Sequence, residues 1–400
     1  MSAGTVDPID RIDLARARAD TPGCEEVVHL NNAGASLPPR PVVEAVIGHL
    51  QLEARIGGYE AREREAAAIA EAGAAIARLV GASTGEIAFA ESATRAWDQI
   101  FYALPFTAGD RILTHRVEYA SNYLAMLQVT RRTGAAIEIV PSTATGEVDV
   151  GALTAMLDDR VRLVAITHVP TSSGLINPVA AVGAALAGTG IPYLLDACQS
   201  VGQLPVDVST IGCDFLTTTG RKFLRAPRGT GFLYVSSRWI ARLEPDVIDM
   251  RSAEWTTIDT YELQPDARRF EQWERSWAGY LGLGAAARYS LSFGLDAIAT
   301  RNRILSDGLR DRLRALRGVT VHDQGRERAA IVTFSVAGHD PDAVRAAAAE
   351  RGINVWVVAA DGARLDFDPR GIESVVRASV HYFNTEAELD RLCDALPAAR

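Results

Sequence analysis

The chain contains one lysine, Lys222, among forty arginines. Arginine stays charged in proteins, whereas the ε-amine of lysine can lose its proton and condense with an aldehyde to form an imine. A codon bias towards arginine that by chance left a single lysine explains the same count. If the lysine is present for its chemistry, Lys222 is predicted to form an imine. The residues around Lys222 decide between the two explanations.

A carboxylate is predicted close to this lysine. Asp196 ends the apolar segment 191–196, and Lys222 follows the next apolar segment, 214–219. Adjacent parallel strands lie about 4.8 Å apart, so both side chains can reach one ligand, although an aspartate after a strand is also a common helix N-cap. An imine-forming lysine and a carboxylate that keeps a pyridine nitrogen protonated are the pair that pyridoxal 5'-phosphate (PLP) requires. Burial and the neighbouring Arg221 are expected to lower the pKa of the lysine.

A phosphate group needs hydrogen-bond donors, and residues 91–94 lie at a predicted strand-to-helix junction. Backbone N–H groups at a helix N-terminus, with the Ser92 and Thr94 hydroxyls, suit a phosphate. A serine that only caps its helix is the plain alternative. Residues 217–219 offer three more threonine hydroxyls just before Lys222, although alternate residues of a strand point to opposite faces.

The elements that must position these groups form an alternating pattern. Seven apolar segments are separated by helical patterns or short connections, at 86–90, 111–115, 136–140, 162–169, 191–197, 214–219 and 231–235. Near-continuous apolar strands with intervening helices predict an α/β fold, with a mainly parallel seven-stranded sheet covered by helices on both faces. Right-handed crossovers place the C-terminal ends of such strands at one edge, where ligands bind.

The pattern changes near residue 265. A long helical stretch, predicted over 271–316, leads into a smaller α+β pattern with strands near 329–336, 353–358 and 375–383 and a last helix from Glu386. The sequence therefore predicts an N-terminal arm (1–30), a large cofactor-binding domain (31–270), and a linking helix with a small C-terminal domain (271–400).

The composition excludes several classes of protein. In the 400 residues, apolar types make up 48% and charged types 23%, which is typical of a globular chain rather than a disordered one. The net charge of −9 argues against nucleic acid or an anionic membrane as the main partner. No apolar run reaches the roughly 18 residues of a membrane span, and the first twenty residues contain no apolar core of a secretory signal. The four cysteines show no metal-ligand spacing, so we expect no metal and a reducing, cytoplasmic location.

Three motifs together resemble the signature of class V, fold-type I PLP enzymes: 195–202 (LDACQSVG), 219–223 (TGRKF) and 228–234 (RGTGFLY). This group includes cysteine desulfurases, isopenicillin N epimerase, kynureninase, small aminotransferases and the C–S lyase of ergothioneine biosynthesis. The resemblance extends from 30–34 (LNNAG) to 377–385 (RASVHYFNT). It is specific for the superfamily and the cofactor, and poorly specific for the reaction.

The resemblance implies roles for individual positions. Lys222 matches the lysine that binds the cofactor and catalyses, Asp196 its pyridine-nitrogen partner, and Gln199 the residue that reaches its phenolic oxygen. The positions that match phosphate ligands are Ala93, Thr94, Thr219 and Arg221. Tyr119 matches the residue stacked on the pyridine ring, and Thr171 stands where desulfurases have asparagine. Arg377 matches the arginine that binds the substrate α-carboxylate, and the positions expected to line the substrate side are Asn32, Ala33 and Gly34.

Departures from the desulfurase pattern favour another reaction. Desulfurases carry a cysteine on a mobile loop just before the terminal Arg-Ala-Ser segment, whereas the corresponding residues 356–368 contain none. Cys198, beside the cofactor motif, is more typical of a buried small residue. The segments 56–60 and 269–276 are closer to the ergothioneine-type C–S lyases and to isopenicillin N epimerase-like proteins. We therefore expect a β-eliminating C–S lyase that acts on an amino acid.

Several alternatives stay open. An aminotransferase, an epimerase or racemase, and a cysteine desulfurase all share the first proton abstraction, so the cofactor motif cannot separate them. A protein that keeps the fold only for binding or regulation is the non-enzyme alternative, which the retained Lys222, Asp196 and Arg377 argue against. The resemblance also implies a homodimer, with the segments 57–59 and 269–276 reaching the partner's site.

Overall fold

The computed structural model describes residues 12–399, so residues 1–11 of the predicted arm and Arg400 lie outside the described residues. The first part of the described chain is mainly helical, with elements α1 (Leu14–Ala19), β1 (Val28–His29), α2 (Arg40–Ile56), α3 (Gly58–Arg64) and α4 (Ala66–Leu79). Gly57, between α2 and α3, has a φ of +96°, a backbone conformation that residues with a Cβ rarely adopt. The glycine therefore lets the chain turn between two helices without an extended loop.

All seven predicted strands are present and form one sheet. The alternating elements are β2 (Ile87–Ala90), α5 (Ala93–Phe101), β3 (Arg111–His115), α6 (Ala120–Thr133), β4 (Ala136–Val140), α7 (Val150–Met156), β5 (Val161–Thr167), α8 (Val179–Leu186), β6 (Tyr193–Asp196), α9 (Val208–Ile211), β7 (Phe215–Thr219) and β8 (Gly231–Val235). The strand order is β2-β8-β7-β6-β5-β3-β4. The sheet is mainly parallel, as predicted.

One strand reverses direction, since β8 runs antiparallel to both β7 and β2. A parallel pairing needs a crossover of a dozen or more residues, usually a helix. Residues 220–230, which join β7 to β8, contain only turns, so the chain folds back at the end of β7. Lys222 lies in this short connection.

Two hydrophobic clusters cover the two faces of the sheet. Leu194 of β6 belongs to a cluster with Trp97 and Met126 on α5 and α6. Leu195, the next residue, belongs to the opposite cluster with Val182 and Leu283 on the other face. Successive side chains of a strand point to opposite faces, so a strand that is apolar throughout must be buried on both sides.

The next elements are α10 (Ser237–Ile240), β9 (Ala253–Thr257), β10 (Thr260–Leu263), α11 (Trp277–Phe293) and α12 (Leu295–Ala315). The helical stretch predicted from about residue 271 to residue 316 is present as two helices and differs from the prediction at two places. Residues 271–276 precede α11 outside any helix, and Gly294, with a φ of +84°, separates α11 from α12. Glycine loses more conformational freedom in a helix than other residues, which favours a break at this position.

The C-terminal elements are β11 (Val319–Val321), β12 (Ile331–Val336), α13 (Pro341–Ala349), β13 (Ile353–Asn354), β14 (Trp356–Ala359), α14 (Arg364–Phe367), β15 (Ser374–Ser379) and α15 (Glu386–Ala395). An antiparallel four-stranded sheet has the order β11-β12-β15-β14. β1 pairs in parallel with β13, and Val28 and Leu30 pack in the core of this C-terminal part. The predicted domain limits at residues 30 and 270 stay a prediction.

No helix within residues 12–399 is both long enough and apolar enough to cross a lipid bilayer.

Candidate active site

A cavity opens at the C-terminal ends of β5, β6 and β7. Its volume, with the solvent-open space at its mouth included, is about 650 Å³. All nine residues predicted to bind the cofactor line it: Ala93, Thr94, Tyr119, Thr171, Asp196, Gln199, Thr219, Arg221 and Lys222. The fold thus brings together positions that are up to 129 residues apart in the chain, while their individual roles stay predictions.

Lys222 and Asp196 both belong to this cavity. Lys222 is buried, and its Nζ lies 5.8 Å from the centre of the Tyr119 ring. Burial lowers the pKa of the lysine, and the positive charges of Arg221 and Arg377 lower it further, as the sequence predicted for burial and Arg221. Asp196 and Cys198 act in the opposite direction. A lysine of lowered pKa has a larger share of neutral amine, the form that attacks an aldehyde.

The Asp196 carboxylate is held at both oxygens. Oδ1 accepts a hydrogen bond from the backbone N–H of Cys198 at 2.9 Å, and Oδ2 accepts one from Asn122 Nδ2 at 2.9 Å. Residues 197–203 contain no helix, so the alternative of a helix N-cap does not apply. These two donors orient the carboxylate, which lines the cavity.

The turn that carries Lys222 is anchored from behind by Arg225. Arg225 has a φ of +63°, the only positive value at a non-glycine residue among those described. Its buried guanidinium donates to the carbonyl of Leu37 at 2.9 Å, to the Tyr382 hydroxyl at 2.7 Å and to Thr21 Oγ1. A left-handed backbone at such a residue persists only where surrounding contacts fix it. These contacts fix the connection between β7 and β8.

One end of the cavity suits a phosphate. The N–H groups of Ala93 and Thr94 begin α5 and have no carbonyl partner within the helix. Ser92 is the N-cap, since its Oγ accepts from Arg95 N at 3.1 Å, so the capping alternative holds for this serine. Arg221 and Arg228 line the same cavity. Helix-terminal amides, hydroxyls and two guanidinium groups are the donors that a phosphate dianion requires.

The Thr171 hydroxyl has a free proton. Its Oγ1 accepts from Arg377 Nη1 at 2.7 Å and from Gln199 Nε2 at 3.2 Å. A hydroxyl has two acceptor positions and one proton, so its own O–H is left to donate. Gln199 Oε1 is buried without a partner. Polar groups that are unsatisfied at a cavity indicate a ligand with matching oxygen and hydrogen atoms.

Arg377 lies buried on β15 beside this cavity, and all its hydrogen-bond partners are neutral. Nη1 donates to the Thr171 carbonyl at 3.0 Å, Nη2 donates to Asn31 Oδ1 at 3.2 Å, and Nε has no partner. Burial, with the nearby charge of Arg221, lowers the pKa of Arg377 to about 10. A buried guanidinium paired only with neutral groups suits a carboxylate ligand, which can offer two parallel hydrogen bonds.

The three residues predicted at the substrate side are not among those that line the cavity, and two of them contact lining residues through their backbone carbonyls. The carbonyl of Ala33 accepts from Gln199 Nε2 at 3.1 Å, and the carbonyl of Gly34 accepts from Arg221. The Asn32 side chain is fully buried and donates to the Ser379 carbonyl at 2.7 Å. The side chain that reaches Arg377 is instead that of Asn31. The sequence-based predictions did not include Asn31, although it lies within the motif 30–34.

Asn122 and Glu118 were also missed. Asn122 is on α6, three residues after Tyr119, and reaches Asp196 across the space between two elements. Glu118 lies just before Tyr119 and accepts from Asn122 Nδ2 at 2.9 Å. The only sequence signal was the position of both residues beside Tyr119, since nothing in the sequence shows that a helix turn faces the end of β6.

The segment 356–368, which contains no cysteine, is packed in place. Its Val358, Ala363 and Phe367 form a cluster with Val375 of β15. The buried Asp366 accepts from Arg370 at 2.9 Å, and Arg116, in the loop after β3, lies 3.5 Å from its other oxygen. Side chains on both sides of the segment therefore hold it against the rest of the protein.

Cys198 is the one cysteine that lines the cavity. It is buried, and burial together with the negative charge of Asp196 raises the pKa of its thiol. A thiol with a raised pKa is a poor nucleophile at neutral pH, because only the thiolate attacks. Among residues 12–399, no group of three or more histidine, cysteine or acidic side chains is arranged to hold a metal ion.

These residues fit PLP. Lys222 would bind its aldehyde, Asp196 its pyridine nitrogen, and Thr171 its phenolic oxygen, while the start of α5 and Arg221 would hold its phosphate. Both Nε2 protons of Gln199 are used by Ala33 and Thr171, so Gln199 would orient Thr171 rather than donate to the phenolic oxygen itself. The free Thr171 proton and the unpaired amides of α5 support this fit independently of any motif.

Comparison with known proteins agrees with this fit. Residues 28–392 match the family Aminotransferase class-V. A probable cysteine desulfurase of Methanothermobacter thermautotrophicus is 29% identical, over 95% of this chain and 96% of the relative. The apo structure of the cysteine desulfurase from Thermococcus onnurineus NA1 superposes with a TM-score of 0.88 at 28% identity and covers 96% of both chains. The cystine C–S lyase C-DES, in complex with cysteine persulfide, shares the fold, with a TM-score of 0.84 at 24% identity over 94% of this chain and 100% of that one.

The match spans nearly the whole chain, and the α/β architecture agrees with the fold-type I prediction. The chain belongs to the class-V aminotransferase family of PLP-dependent enzymes.

Proposed function

We propose that this enzyme is a β-eliminating C–S lyase that acts on a small amino acid with sulfur at its β-carbon. One observation carries the proposal: Lys222 lines the cavity, and Arg377 is hydrogen-bonded to the lining residue Thr171, while the segment 356–368, beside Arg377, has no thiol and is packed in place. Register pairs Trp356 of this segment directly with Arg377. The site has the groups for proton abstraction and carboxylate binding, and it lacks the mobile cysteine that accepts sulfur in desulfurases.

Each residue has a defined task in this proposal. Bound PLP supplies an electron sink that stabilises negative charge at the substrate α-carbon. Arg377 holds the α-carboxylate by two parallel hydrogen bonds and so fixes the orientation of the substrate. The neutral Lys222 amine takes the α-proton and can return it to the leaving sulfur. Asp196 keeps a proton on the pyridine nitrogen.

Cysteine desulfurase is the second candidate, because the relatives at 28–30% identity carry that name. That reaction transfers sulfur to a thiolate. Cys198 is the only thiol at the cavity, and burial raises its pKa, which argues against this role. An aminotransferase and an epimerase need the same first proton transfer, so the experiment below includes their products.

Incubation of the purified holoenzyme with a panel of amino acids and S-substituted cysteines tests the proposal. A lyase releases pyruvate and ammonia in equal amounts from a substrate with sulfur at the β-carbon. Release of alanine, with persulfide on the protein, would show a desulfurase. A keto acid requirement would show an aminotransferase, and inversion of the α-carbon an epimerase; any of these three results overturns the lyase.

We also propose that the partners are a small amino-acid substrate and a second copy of this chain, with no nucleic acid and no membrane. Val43, Ile47 and Leu50 are exposed on one side of α2, and the aromatic Tyr59 and Trp273 are exposed near its C-terminal end. A symmetric homodimer would cover such a stripe. Light scattering at micromolar concentration should give twice the chain mass, and a fully active monomer would refute the dimer.

A reducing cytoplasm suits the four free cysteines.

A further inference from the structure

A second buried carboxylate lies behind Asp196. Glu118, at the end of the loop after β3, is 7% exposed. It accepts four hydrogen bonds, from Thr114 Oγ1 at 2.9 Å, Thr167 Oγ1 at 2.7 Å, the Tyr119 N–H at 2.8 Å and Asn122 Nδ2 at 2.9 Å. A buried carboxylate with this many donors has one fixed position.

Asn122 connects the two carboxylates. Its Nδ2 donates to Glu118 Oε1 at 2.9 Å and to Asp196 Oδ2 at 2.9 Å. An amide nitrogen has two protons, so both are used by these two acceptors. The ionised Glu118 carboxylate can only accept hydrogen bonds, so the Asn122 amide must turn its Nδ2 towards Glu118. The same nitrogen then donates its second proton to Asp196. The hydrogen bonds from Glu118 through Asn122 to Asp196 therefore fix the orientation of the Asp196 carboxylate from outside the cavity.

We propose that Glu118 and Asn122 are positioning residues for the cofactor: Asn122 fixes the Asp196 carboxylate towards the pyridine nitrogen of PLP, and Glu118 fixes Asn122 and adds a second negative charge behind it. The inference rests on the role proposed for Asp196. It assigns to a carboxylate outside the cavity lining a share in keeping the ring nitrogen protonated.

The charge of Glu118 acts in the required direction. A negative charge favours protonated, cationic forms nearby, so it raises the pKa of the ring nitrogen with which Asp196 pairs. Asp196 faces Glu118 from β6, and the other groups bonded to Glu118 are hydroxyls, an amide side chain and a backbone N–H, which are neutral. Burial, with the charge of Asp196, raises the pKa of Glu118 to about 7. The effect on the cofactor should therefore be largest above pH 7, where Glu118 is ionised.

Glu118→Gln removes the charge and can keep the contacts. The glutamine oxygen can accept from Thr167, Tyr119 and Asn122, while its amide can donate to Thr114 Oγ1. Asn122→Leu removes the bridge and preserves the volume of the side chain. The matched control is Glu147→Gln: Glu147 is also 7% exposed, accepts from Thr143 and Thr145, and does not line the cavity.

The experiment measures two properties of PLP bound to the full-length protein: its dissociation constant, and the pH dependence of its absorption. We expect Asn122→Leu to weaken binding about tenfold, in line with one lost hydrogen bond to a charged group. We expect Glu118→Gln to lower the pKa of the absorption change by about one unit, as for loss of one charge at partial burial. Glu147→Gln should leave both properties unchanged.

Asp196→Asn distinguishes a failure of the roles of Glu118 and Asn122 from a failure of the role of Asp196. If Asp196→Asn changes binding and absorption while Glu118→Gln and Asn122→Leu behave like the wild type, the inference is wrong and the role of Asp196 stands. If Asp196→Asn is also silent, the role proposed for Asp196 is wrong as well. If Asn122→Leu does not fold, the absorption of Glu118→Gln alone decides, and a wild-type titration overturns the inference.

Discussion

Arg377 and Thr171 are joined by two hydrogen bonds from one guanidinium nitrogen: Nη1 donates to Thr171 Oγ1 at 2.7 Å and to the Thr171 carbonyl at 3.0 Å. The same hydroxyl accepts from Gln199, which lines the cofactor cavity. Arg377, which is proposed to bind the substrate carboxylate, is thus hydrogen-bonded directly to Thr171, which is proposed to bind the cofactor's phenolic oxygen. With the proposed roles, this link would place the substrate relative to the cofactor, and it makes Arg377 sensitive to a change of shape as well as of charge.

Arg377→Lys should reduce kcat/KM by thirty- to a hundred-fold. Lysine keeps the charge, but a point charge cannot make two parallel hydrogen bonds to a carboxylate. The loss of about 2–3 kcal/mol follows from the strength of hydrogen bonds to charged groups, and about 1.36 kcal/mol corresponds to one factor of ten. Arg364→Lys, on the exposed face of α14, is the control and should have no effect. A wild-type Arg377→Lys enzyme would mean that the substrate carboxylate binds elsewhere.

Lys222 should carry the cofactor. The purified protein should be yellow, and borohydride should remove the absorption band and add the cofactor mass to the peptide that contains position 222. Lys222→Ala should show no such label, because no other lysine exists in the chain. A colourless, PLP-free protein that still turns over substrate would contradict this assignment.

Replacement of all four cysteines should leave catalysis largely intact. None lies in the segment 356–368, and burial raises the pKa of Cys198. Some loss of stability is expected, because Cys198 and Cys213 are buried and their replacement changes the packing. The rate of substrate turnover and the cofactor content are measured together. If Cys198→Ala alone abolished turnover with PLP still bound, the lyase proposal would fail in favour of sulfur transfer.

Asp366→Asn should loosen the segment 356–370. Asp366 is buried and lies between Arg370 and Arg116, so a neutral side chain leaves two cations without their partner. Removing one partner of a buried ion pair costs about 3–5 kcal/mol. Hydrogen exchange of the segment's amides should become faster, whereas Asp368→Asn, in an exposed pair with Arg364, should not change it. Equal exchange in both variants would show that the hydrophobic cluster alone holds the segment.

The pKa of Glu118 makes a prediction about stability. Its pKa is raised from 4.5 to about 7 in the folded protein, so between these pH values the folded state binds more protons than the unfolded state. Stability from this group is complete below about pH 4.5 and is lost as the pH rises through 7. The loss is about 3 kcal/mol at full ionisation, at 1.36 kcal/mol per pKa unit.

Glu118→Gln does not ionise, so the stability of this variant should rise relative to the wild type as the pH increases from 5 to 8. Urea unfolding of the cofactor-free proteins at the two pH values measures the difference. Glu147→Gln is the control, since its carboxylate has a pKa lowered to about 2 by its hydroxyl and amide donors and does not titrate in this range. A constant difference between Glu118→Gln and the wild type would show that Glu118 does not titrate near pH 7.

The sequence by itself determined the local features of this protein. The apolar segments, of the length of strands, identified all seven strands of the large sheet, because a strand buried on both faces must be apolar throughout. The single lysine and the carboxylate at the end of β6 indicated the cofactor, because an amine that forms an imine and a carboxylate that keeps a pyridine nitrogen protonated are the two groups PLP requires. The family motifs added the positions around them.

Only the tertiary structure decided which side chains meet across elements. Three contacts join residues that are distant in the chain: the bridge from Asn122 to Asp196, the contact of Asn31 with Arg377, and the bond from Arg225, in the Lys222 turn, to Leu37. The break at Gly294 likewise escaped the helical pattern, because one glycine within a long helical sequence is compatible with either outcome until packing selects one. Periodicity reports which face of an element is buried, whereas the partner it is buried against depends on the packing of the whole chain.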